Sequence, residues 1–575
     1  MKLSPNWLEN WGNLVKLGKT TCRVKSMDEQ HVQAYVALIK QLLSCASGEE
    51  AAILQEQAEL VDGGLLVIMQ QYADSLEQQG NTQAAGWLRQ FAQQLAAHLG
   101  GMNTQTEERP EDAEQFLCAV LQLIVDSQSN TQQVYQFLAQ HQDKLNLALL
   151  QILPQLAAAL LASNPKQRPV VAAVLVEFGN LINQFPLGQR WLNQEVAIAA
   201  YQQALTVMTQ QDMPVQWAAT MNNLANAYLD RIRGNRADNL EQAIDAYQQA
   251  LTVTTQQDMP VQWAGTMNNL ALAYFNRIRG NRADNLEQAI DACQQALTVT
   301  TQQDMPVDWA QTMNNLASAY FNRIRGNRAD NLEQAIDACQ QALTVRTKQD
   351  MPVDWAATMN NLALAYFNRI RGNRADNLEQ AIDAYQQALT VTTQQDMPVQ
   401  WAGTMNNLAL AYFNRIRGNR ADNLEQAIDA CQQALTVRTK QNMPVDWAQT
   451  MNNLALAYFN RIRGNRADNL EQAIDAYQQA LTVRTKQNMP VDWAQTMNNL
   501  ASAYFNRIRG NRADNLEQAI DACQQALTVT TQQDMPVDWA QTMNNLASAY
   551  FNRIRGNRAD NLEQAIDACQ QALTV

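Results

Sequence analysis

The sequence predicts an all-α protein, an α-solenoid of helix-turn-helix repeats preceded by an N-terminal helical domain. A tryptophan recurs every 46 residues, and the segments between successive tryptophans are nearly identical. Within each copy, apolar residues recur with helical periodicity in two segments separated by a short turn. Isolated helix pairs leave apolar faces open, whereas stacked pairs share one continuous core. The tryptophans are Trp217, Trp263, Trp309, Trp355, Trp401, Trp447, Trp493 and Trp539.

The first segment of each copy predicts a helix, here called helix A. Pro214 precedes it in the first copy, and a proline is tolerated in the first turn of a helix. Gly234 follows Arg231 and Arg233, which predicts a helix stop with basic residues in the last turn. One apolar stripe runs through Trp217, Met221, Leu224, Tyr228 and Ile232.

The second segment predicts helix B. Asp238 and Glu241 have the spacing of a capping box and are expected to open it. The polar stretch before Pro260 is expected to close it. Its apolar stripe consists of Leu240, Ala243, Ile244, Tyr247, Ala250 and Leu251.

We expect three parts along the chain. Residues 1–185 form an N-terminal helical domain or cap, 186–216 a degenerate half-repeat, and 217–575 eight repeats, the last incomplete. Pro154 predicts a kink or break in the first part. Whether this part is an independent domain or a cap stays open. Its amphipathic stretches are Val32–Leu43, Ala51–Val61, Leu65–Leu76 and Ala84–Leu99.

Composition excludes several classes of function. The net charge of -13 disfavours nucleic acid and anionic membranes as partners. No apolar run is long enough to predict a membrane span, and the N-terminus lacks a secretory signal pattern. Eight cysteines among 575 residues agree with a cytoplasmic location.

The residue pattern predicts neither an enzyme nor a cofactor or metal site. His31, His98 and His141 lack a second histidine at metal-ligand spacing, and pairing Cys118 with His98 as a dyad has no support. One position of helix B is cysteine in five copies, which predicts a packing role without disulfides because the repeat spacing is too large. These are Cys293, Cys339, Cys431, Cys523 and Cys569.

The copies resemble the tetratricopeptide repeat. That family's helix A signature of leucine, small residue and tyrosine matches Leu224, Ala225 and Tyr228. Its helix B signature of small, aromatic and small residues matches Ala243, Tyr247 and Ala250. The copies exceed the usual length of about 34 residues because both turns are extended. Asn222–Ala225 is similar to the kinesin-light-chain type, and the whole array is similar to bacterial, cyanobacterial arrays often fused to a caspase-like (CHAT) peptidase domain.

The resemblance implies a right-handed solenoid whose concave groove is lined by the face of helix A away from the core. On a helical wheel this face carries one invariant asparagine per copy, a mixed row containing leucines, and Arg233. We expect this groove to bind a protein or peptide partner. The alternative is that the asparagines join adjacent repeats. The asparagines are Asn222, Asn268, Asn314, Asn360, Asn406, Asn452, Asn498 and Asn544; the leucines are Leu272, Leu364, Leu410 and Leu456.

Three further interpretations accompany the groove. The recurring arginines represented by Arg231, Arg233 and Arg236 are either an anion-binding stripe or, as we favour, a salt-bridged edge beside equally recurrent acids. The last copy stops at Val575 without a capping helix, so self-association through it is one expectation. A regulatory or sensor arm whose C-terminal caspase-like domain lies beyond this chain is the alternative function.

Overall fold

The computed structural model describes residues 29–45, single positions and short stretches between 53 and 92, residues 110–163 and residues 165–574. All regular structure in these parts is helical, which confirms the all-α prediction. Val32–Leu43 lies within α1, whereas the other three predicted N-terminal stretches fall largely outside the described residues. The first helices are α1 Glu29–Ser44, α2 Pro110–Asp126, α3 Thr131–Gln140, α4 Leu147–Ser163, α5 Arg168–Gln184 and α6 Arg190–Leu205.

Sixteen further helices form eight consecutive pairs. Each pair begins at a proline, and successive prolines are 46 residues apart. We number these pairs, each with the turn that follows it, as repeats 1 to 8, and call their helices A and B. They are α7 Pro214–Asp230, α8 Arg236–Leu251, α9 Pro260–Asn276, α10 Arg282–Leu297, α11 Pro306–Asn322, α12 Arg328–Leu343, α13 Pro352–Asn368, α14 Arg374–Leu389, α15 Pro398–Asn414, α16 Arg420–Leu435, α17 Pro444–Asn460, α18 Arg466–Leu481, α19 Pro490–Asn506, α20 Arg512–Leu527, α21 Pro536–Phe551 and α22 Arg558–Ala572.

The chain divides into two compact units, residues 1–259 and 260–575. In the first unit, Tyr35, Leu38 and Leu42 of α1 pack in a buried cluster with Leu65 and Met69. Pro154 lies inside α4, which continues through it to Ser163, so of the predicted kink or break the break does not occur. Repeat 1 belongs to this unit, and repeats 2 to 8 make up the second.

Helices α5 and α6 have the bounds of α7 and α8 shifted by 46 residues. The Tyr201 hydroxyl of α6 donates to the Asn180 side chain of α5 at 2.9 Å, as Tyr247 does to Asn226 in repeat 1. The segment that the sequence presents as a lone half-repeat therefore has a partner helix. The sequence does not reveal α5 as a helix A because few of its residues match those of the repeats, although its bounds do.

Helix A ends earlier than the sequence predicts. Arg231 leaves the helical region at φ −56° and ψ 125°, so helix A of repeat 1 ends at Asp230. Ile232 is consequently 60% exposed and does not belong to the core stripe. The predicted basic residues of the last turn lie beyond the helix for the same reason.

Helix B begins at an asparagine cap and not at a capping box. The Asn235 side chain accepts from the backbone N–H groups of Ala237 at 2.8 Å and Asp238 at 3.3 Å. Gly234 precedes it at φ 79°, a left-handed conformation that favours glycine. The Asn239 amide donates to the Arg233 carbonyl at 2.7 Å and fixes this turn against helix B.

The other residues of the two predicted stripes are buried, except Trp217, Tyr228 and Leu251, which are half-buried. Leu224 and Ala225 are 6% and 0% exposed, and Tyr247 is fully buried. The signature tyrosine of helix A also binds the preceding helix B, since Gln294 donates to the Tyr320 hydroxyl at 2.9 Å. Each repeat therefore completes its packing on its neighbour within a unit, which is the physical basis of a stacked array.

Candidate functional site

The predicted asparagine ladder lies on helix A, but its exposure differs from the prediction. Asn406, Asn498 and Asn452 are only 2%, 7% and 8% exposed. Asn544 is exposed. The half-buried members are Asn222, Asn268, Asn314 and Asn360. The ladder is thus largely an inter-helix feature and not an open row of amides.

Six ladder asparagines accept a hydrogen bond from helix A of the next repeat. An asparagine donates to four of them, from Asn315 to Asn268 at 3.0 Å, Asn361 to Asn314 at 3.0 Å, Asn453 to Asn406 at 3.1 Å and Asn545 to Asn498 at 2.9 Å. A threonine donates to the other two, from Thr404 to Asn360 and from Thr496 to Asn452, both at 3.3 Å. The geometry therefore favours the joining role that the sequence left open.

The leucine row keeps apolar surface partly exposed. Leu272 is 36% exposed. The equivalent Leu364, Leu410 and Leu456 are half-buried. Serine replaces leucine here in other repeats, and Ser318 donates to the Asn314 carbonyl at 3.1 Å. Asn226 of repeat 1 instead accepts from the buried Tyr247 hydroxyl. The leucines are thus the members of the predicted groove that present apolar surface.

Arg233 lies outside the helical stretch to which the wheel applies, so its membership of the binding surface stays a prediction. It follows the end of helix A, and its guanidinium carbon lies 3.5 Å from the centroid of the Trp191 ring. The wheel argument extended helical geometry past Arg231, where the backbone is no longer helical. In repeats 3 to 8 the equivalent arginines pair with an aspartate of the preceding helix B: Arg325–Asp284, Arg371–Asp330, Arg417–Asp376, Arg463–Asp422, Arg509–Asp468 and Arg555–Asp514.

A second arginine of the turn makes a bidentate ion pair with a glutamate in repeat 1 and in repeats 3 to 8. Arg231 binds both Glu195 oxygens at 2.7 Å, and Arg323 binds both Glu287 oxygens at 2.8 Å. The hydrogen bond from Arg323 holds the pKa of Glu287 below its ordinary value of 4.5. Further pairs are Arg369–Glu333, Arg415–Glu379, Arg461–Glu425, Arg507–Glu471 and Arg553–Glu517.

The third arginine binds back to the end of helix A. Arg328 donates to the Phe321 carbonyl, and its guanidinium carbon lies 5.0 Å from the ring centroid of Phe321. In repeat 3 all three arginines of the turn are therefore engaged within the chain. This arrangement favours the salt-bridged edge over an anion-binding stripe.

The five cysteines at the helix B position are free, as predicted. Cys293, Cys339, Cys431 and Cys523 are buried, and burial raises the pKa of each thiol to about 12. Cys569 is exposed and does not fit the packing interpretation. The buried four are packing residues with unreactive thiols.

Sequence reasoning missed three arginines buried between repeats. Arg346, Arg438 and Arg484 follow helix B and are 2%, 7% and 4% exposed. Desolvation lowers the pKa of each guanidinium. An aspartate stands eight residues after each of them, at Asp354, Asp446 and Asp492. This recurring aspartate was the sequence signal that could have indicated a buried ion pair. Repeats 1, 2, 4 and 7 carry threonine at the arginine position: Thr254, Thr300, Thr392 and Thr530.

Among the described residues, no cluster of three or more histidines, cysteines, aspartates or glutamates is arranged to hold a metal ion. His141 binds the Phe137 carbonyl oxygen through Nδ1 at 2.9 Å, whereas His98 lies outside the described residues. In the part of the chain that the structure describes, every helix is too short or too polar to cross a membrane.

Helix pairs that recur at a constant offset, each packed on the next within its unit, define a helical repeat protein. A family model described as the tetratricopeptide repeat matches eight segments of the chain, one per repeat, and the chain is a tetratricopeptide repeat protein. The matched residues are 217–251, 263–297, 309–344, 355–389, 401–435, 447–482, 493–527 and 539–573. None of the curated proteins compared with this sequence matches it.

Solved structures of helical repeat proteins are similar at low identity. One is a signal transduction ATPase (STAND protein) with a tetratricopeptide repeat sensor from Pyrococcus horikoshii, at 13% identity and a TM-score of 0.41, covering 88% of this chain and 72% of that chain. Another is the APC/C hetero-tetramer Cut9-Hcn1, at 15% identity and a TM-score of 0.35, covering 99% of each chain.

Proposed function

We propose that this chain is a protein-interaction scaffold that binds a polypeptide along the leucine row of its A helices. The row consists of Leu272, Leu364, Leu410 and Leu456, and its partial exposure carries the proposal. An apolar row that recurs along an array is costly in water unless a partner covers it. The proposed binding surface is the concave groove expected for this family.

The asparagines contribute mainly by setting the spacing of the row. Asn360 and Asn406 each precede a row leucine by one helical turn, at Leu364 and Leu410. Their hydrogen bonds to the next helix A hold adjacent leucines at a fixed separation. Half-buried Asn268 precedes the row leucine Leu272 by one helical turn, where its amide suits a peptide backbone.

The natural serines supply a test that spares folding. Leu364→Ser, Leu410→Ser and Leu456→Ser copy a residue that repeats 3 and 7 already carry at this position, Ser318 and Ser502. Peptides selected from a random displayed library on the native chain would be titrated against this variant by fluorescence anisotropy. We expect affinity to fall at least about tenfold, with thermal unfolding by circular dichroism nearly unchanged, since about 1.4 kcal/mol of lost apolar contact gives that factor.

The turn isoleucines provide the matched control. Ile370, Ile416 and Ile462 are 60% to 61% exposed and lie between helices A and B. Changing these three to serine removes as many apolar side chains from another surface. Unchanged binding by this control supports the leucine row. Loss of binding in the isoleucine variant alone would move the binding surface to the turns and overturn the proposal.

Three finer points remain proposals from the sequence. They are a cytoplasmic location, self-association through repeat 8, and a regulatory arm joined to a caspase-like peptidase domain. The third is tested by reading the coding sequence past Val575 for a domain that carries a catalytic histidine and cysteine.

A further inference from the structure

A cavity of about 410 Å³ lies between repeats 2 and 3. Helix A of repeat 2, the turn after its helix B, and helix A of repeat 3 line it. Its polar and small lining residues include Gly265, Asn268, Thr300, Asp308, Gln311 and Thr312. A Cβ atom added at Gly265 would have none of the surrounding atoms within 4 Å, so the space above this glycine is open.

Repeat 5 fills the equivalent space with an arginine. Arg438 stands where repeat 2 has Thr300, and its Nη2 lies 3.5 Å from the position that a Cβ on Gly403 would take. Nη1 donates to Thr450 at 3.0 Å, and Nη2 lies 3.5 Å from the Asp446 carboxylate. The guanidinium thus occupies the room that the cavity leaves open in repeat 2.

The same partners hold a guanidinium at two more interfaces. Arg346 donates to Thr358 at 2.9 Å and lies 3.8 Å from Asp354. Arg484 donates to Thr496 at 3.0 Å and lies 3.7 Å from Asp492. An aspartate and a threonine at fixed positions in the next helix A therefore form a recurring guanidinium seat.

The cavity keeps this seat without its arginine. Asp308 and Thr312 correspond to Asp446 and Thr450, and the Thr312 hydroxyl donates to the Asp308 carbonyl at 2.9 Å, as its counterpart does. Asp308 is exposed and makes no ion pair within the described residues. Thr300 turns its hydroxyl back to the Ala296 carbonyl at 2.9 Å and leaves the space to another occupant.

Three other repeats also have threonine in place of the buried arginine, but they lack the cavity's glycine, its aspartate or both. Repeats 1 and 4 are followed by Gln262 and Gln400 at the aspartate position. Repeat 7 is followed by Asp538, but Gln495 replaces the open glycine. Among the repeats, the pairing of a glycine, a threonine and an aspartate therefore occurs at Gly265, Thr300 and Asp308 alone.

We propose that the cavity between repeats 2 and 3 binds a guanidinium group supplied from outside the chain, with Asp308 and Thr312 as its seat. A planar guanidinium presents several N–H groups in a fixed fork and can reach the hydroxyl and the carboxylate together. The group is carried either by an arginine side chain of a peptide or by a free guanidino compound. The site is independent of the leucine row and of the function proposed for it.

Saturation-transfer NMR on the full chain tests the site with L-arginine, its neutral analogue L-citrulline, and a blocked Gly-Arg-Gly peptide. We expect binding of an arginine ligand with a dissociation constant on the order of 1 mM and none of citrulline. Binding of the blocked peptide alone identifies a peptide source; equal binding of free arginine identifies a small guanidino compound. Binding of neither, or equal binding of citrulline, overturns the proposal.

Two variants locate the binding in this cavity. Thr300→Arg reproduces the residue of repeat 5, fills the seat internally and should abolish binding. Asp308→Asn should weaken binding about tenfold, since a charge-assisted bond becomes a neutral one. Circular dichroism checks that both variants fold, and Thr392→Arg, placed opposite Gln400, is the matched control that should leave binding intact. Full binding by folded Thr300→Arg would place the ligand elsewhere and refute the assignment.

Discussion

Repeats 2 and 5 have the same residue at all but three of their 46 positions, yet one ends at a cavity and the other at a buried guanidinium. The differences are Thr300 against Arg438, Gln302 against Lys440 and Asp304 against Asn442. All three lie in the turn after helix B. The positions that build the helix pair are thus separate from those that decide what the interface holds.

The three differences also change the charge of the turn. Repeat 5 gains two positive charges and lacks one negative charge, so the net charge of its turn is three units more positive than that of repeat 2. Lys440 lies 5.9 Å from the ring centroid of Trp447, whereas Asp304 accepts from the Thr301 hydroxyl at 2.7 Å. A cation is therefore favoured at the turn of repeat 2 and already present at that of repeat 5.

The largest expected effect tests whether the cores of repeats 2 and 5 are equally stable. Leu270→Ala and Leu408→Ala remove equivalent buried leucines, 4% and 5% exposed. Each should lower the free energy of unfolding by about 2–5 kcal/mol, and the two losses should agree. Urea unfolding followed by circular dichroism measures both. A clearly smaller loss for Leu270→Ala would show that the cavity already loosens repeat 2.

Exchanging the turn comes next in size. Arg438→Thr, Lys440→Gln and Asn442→Asp together give repeat 5 the sequence of repeat 2. Removing the guanidinium from its hydrogen bond to Thr450 should cost about 1.5–3 kcal/mol. The variant should also bind L-arginine at twice the stoichiometry of the native chain, measured by calorimetry. An unchanged stoichiometry would show that the seat depends on more than the turn.

Acid should act on both repeats alike. Arg323 and Arg461 hold the pKa values of Glu287 and Glu425 below 4.5. A folded-state pKa below the unfolded one gives stability that is present above about pH 4.5 and is lost as pH falls through the folded value. Each partly exposed pair contributes about 0.5–1 kcal/mol. Glu287→Gln and Glu425→Gln should each lower the melting temperature slightly at pH 7 and flatten its fall below pH 4.5; unequal shifts would contradict equivalence.

The sequence predicted the helix pairs because repetition and apolar periodicity are local signals that the copies repeat eight times. It failed where a single residue redirects the backbone, as at Arg231, which ends helix A and exposes Ile232. It also placed the asparagines by face alone, and a wheel carries no information on the next helix, to which Asn268 and Asn314 are bonded. The buried arginines escaped because an arginine in a turn ordinarily predicts exposure.

The smallest expected effect concerns thiol reactivity beside the cavity. Cys293 of repeat 2 and Cys431 of repeat 5 are each 1% exposed, and burial raises the pKa of both thiols to about 12. In variants that retain a single cysteine, both should react equally slowly with an aromatic disulfide reagent at pH 8, and far more slowly than exposed Cys569. Faster labelling of Cys293, suppressed by L-arginine, would reveal that repeat 2 opens more often than repeat 5 and that an occupied seat closes it. Equal rates would mean that the cavity is a preformed space in a rigid interface.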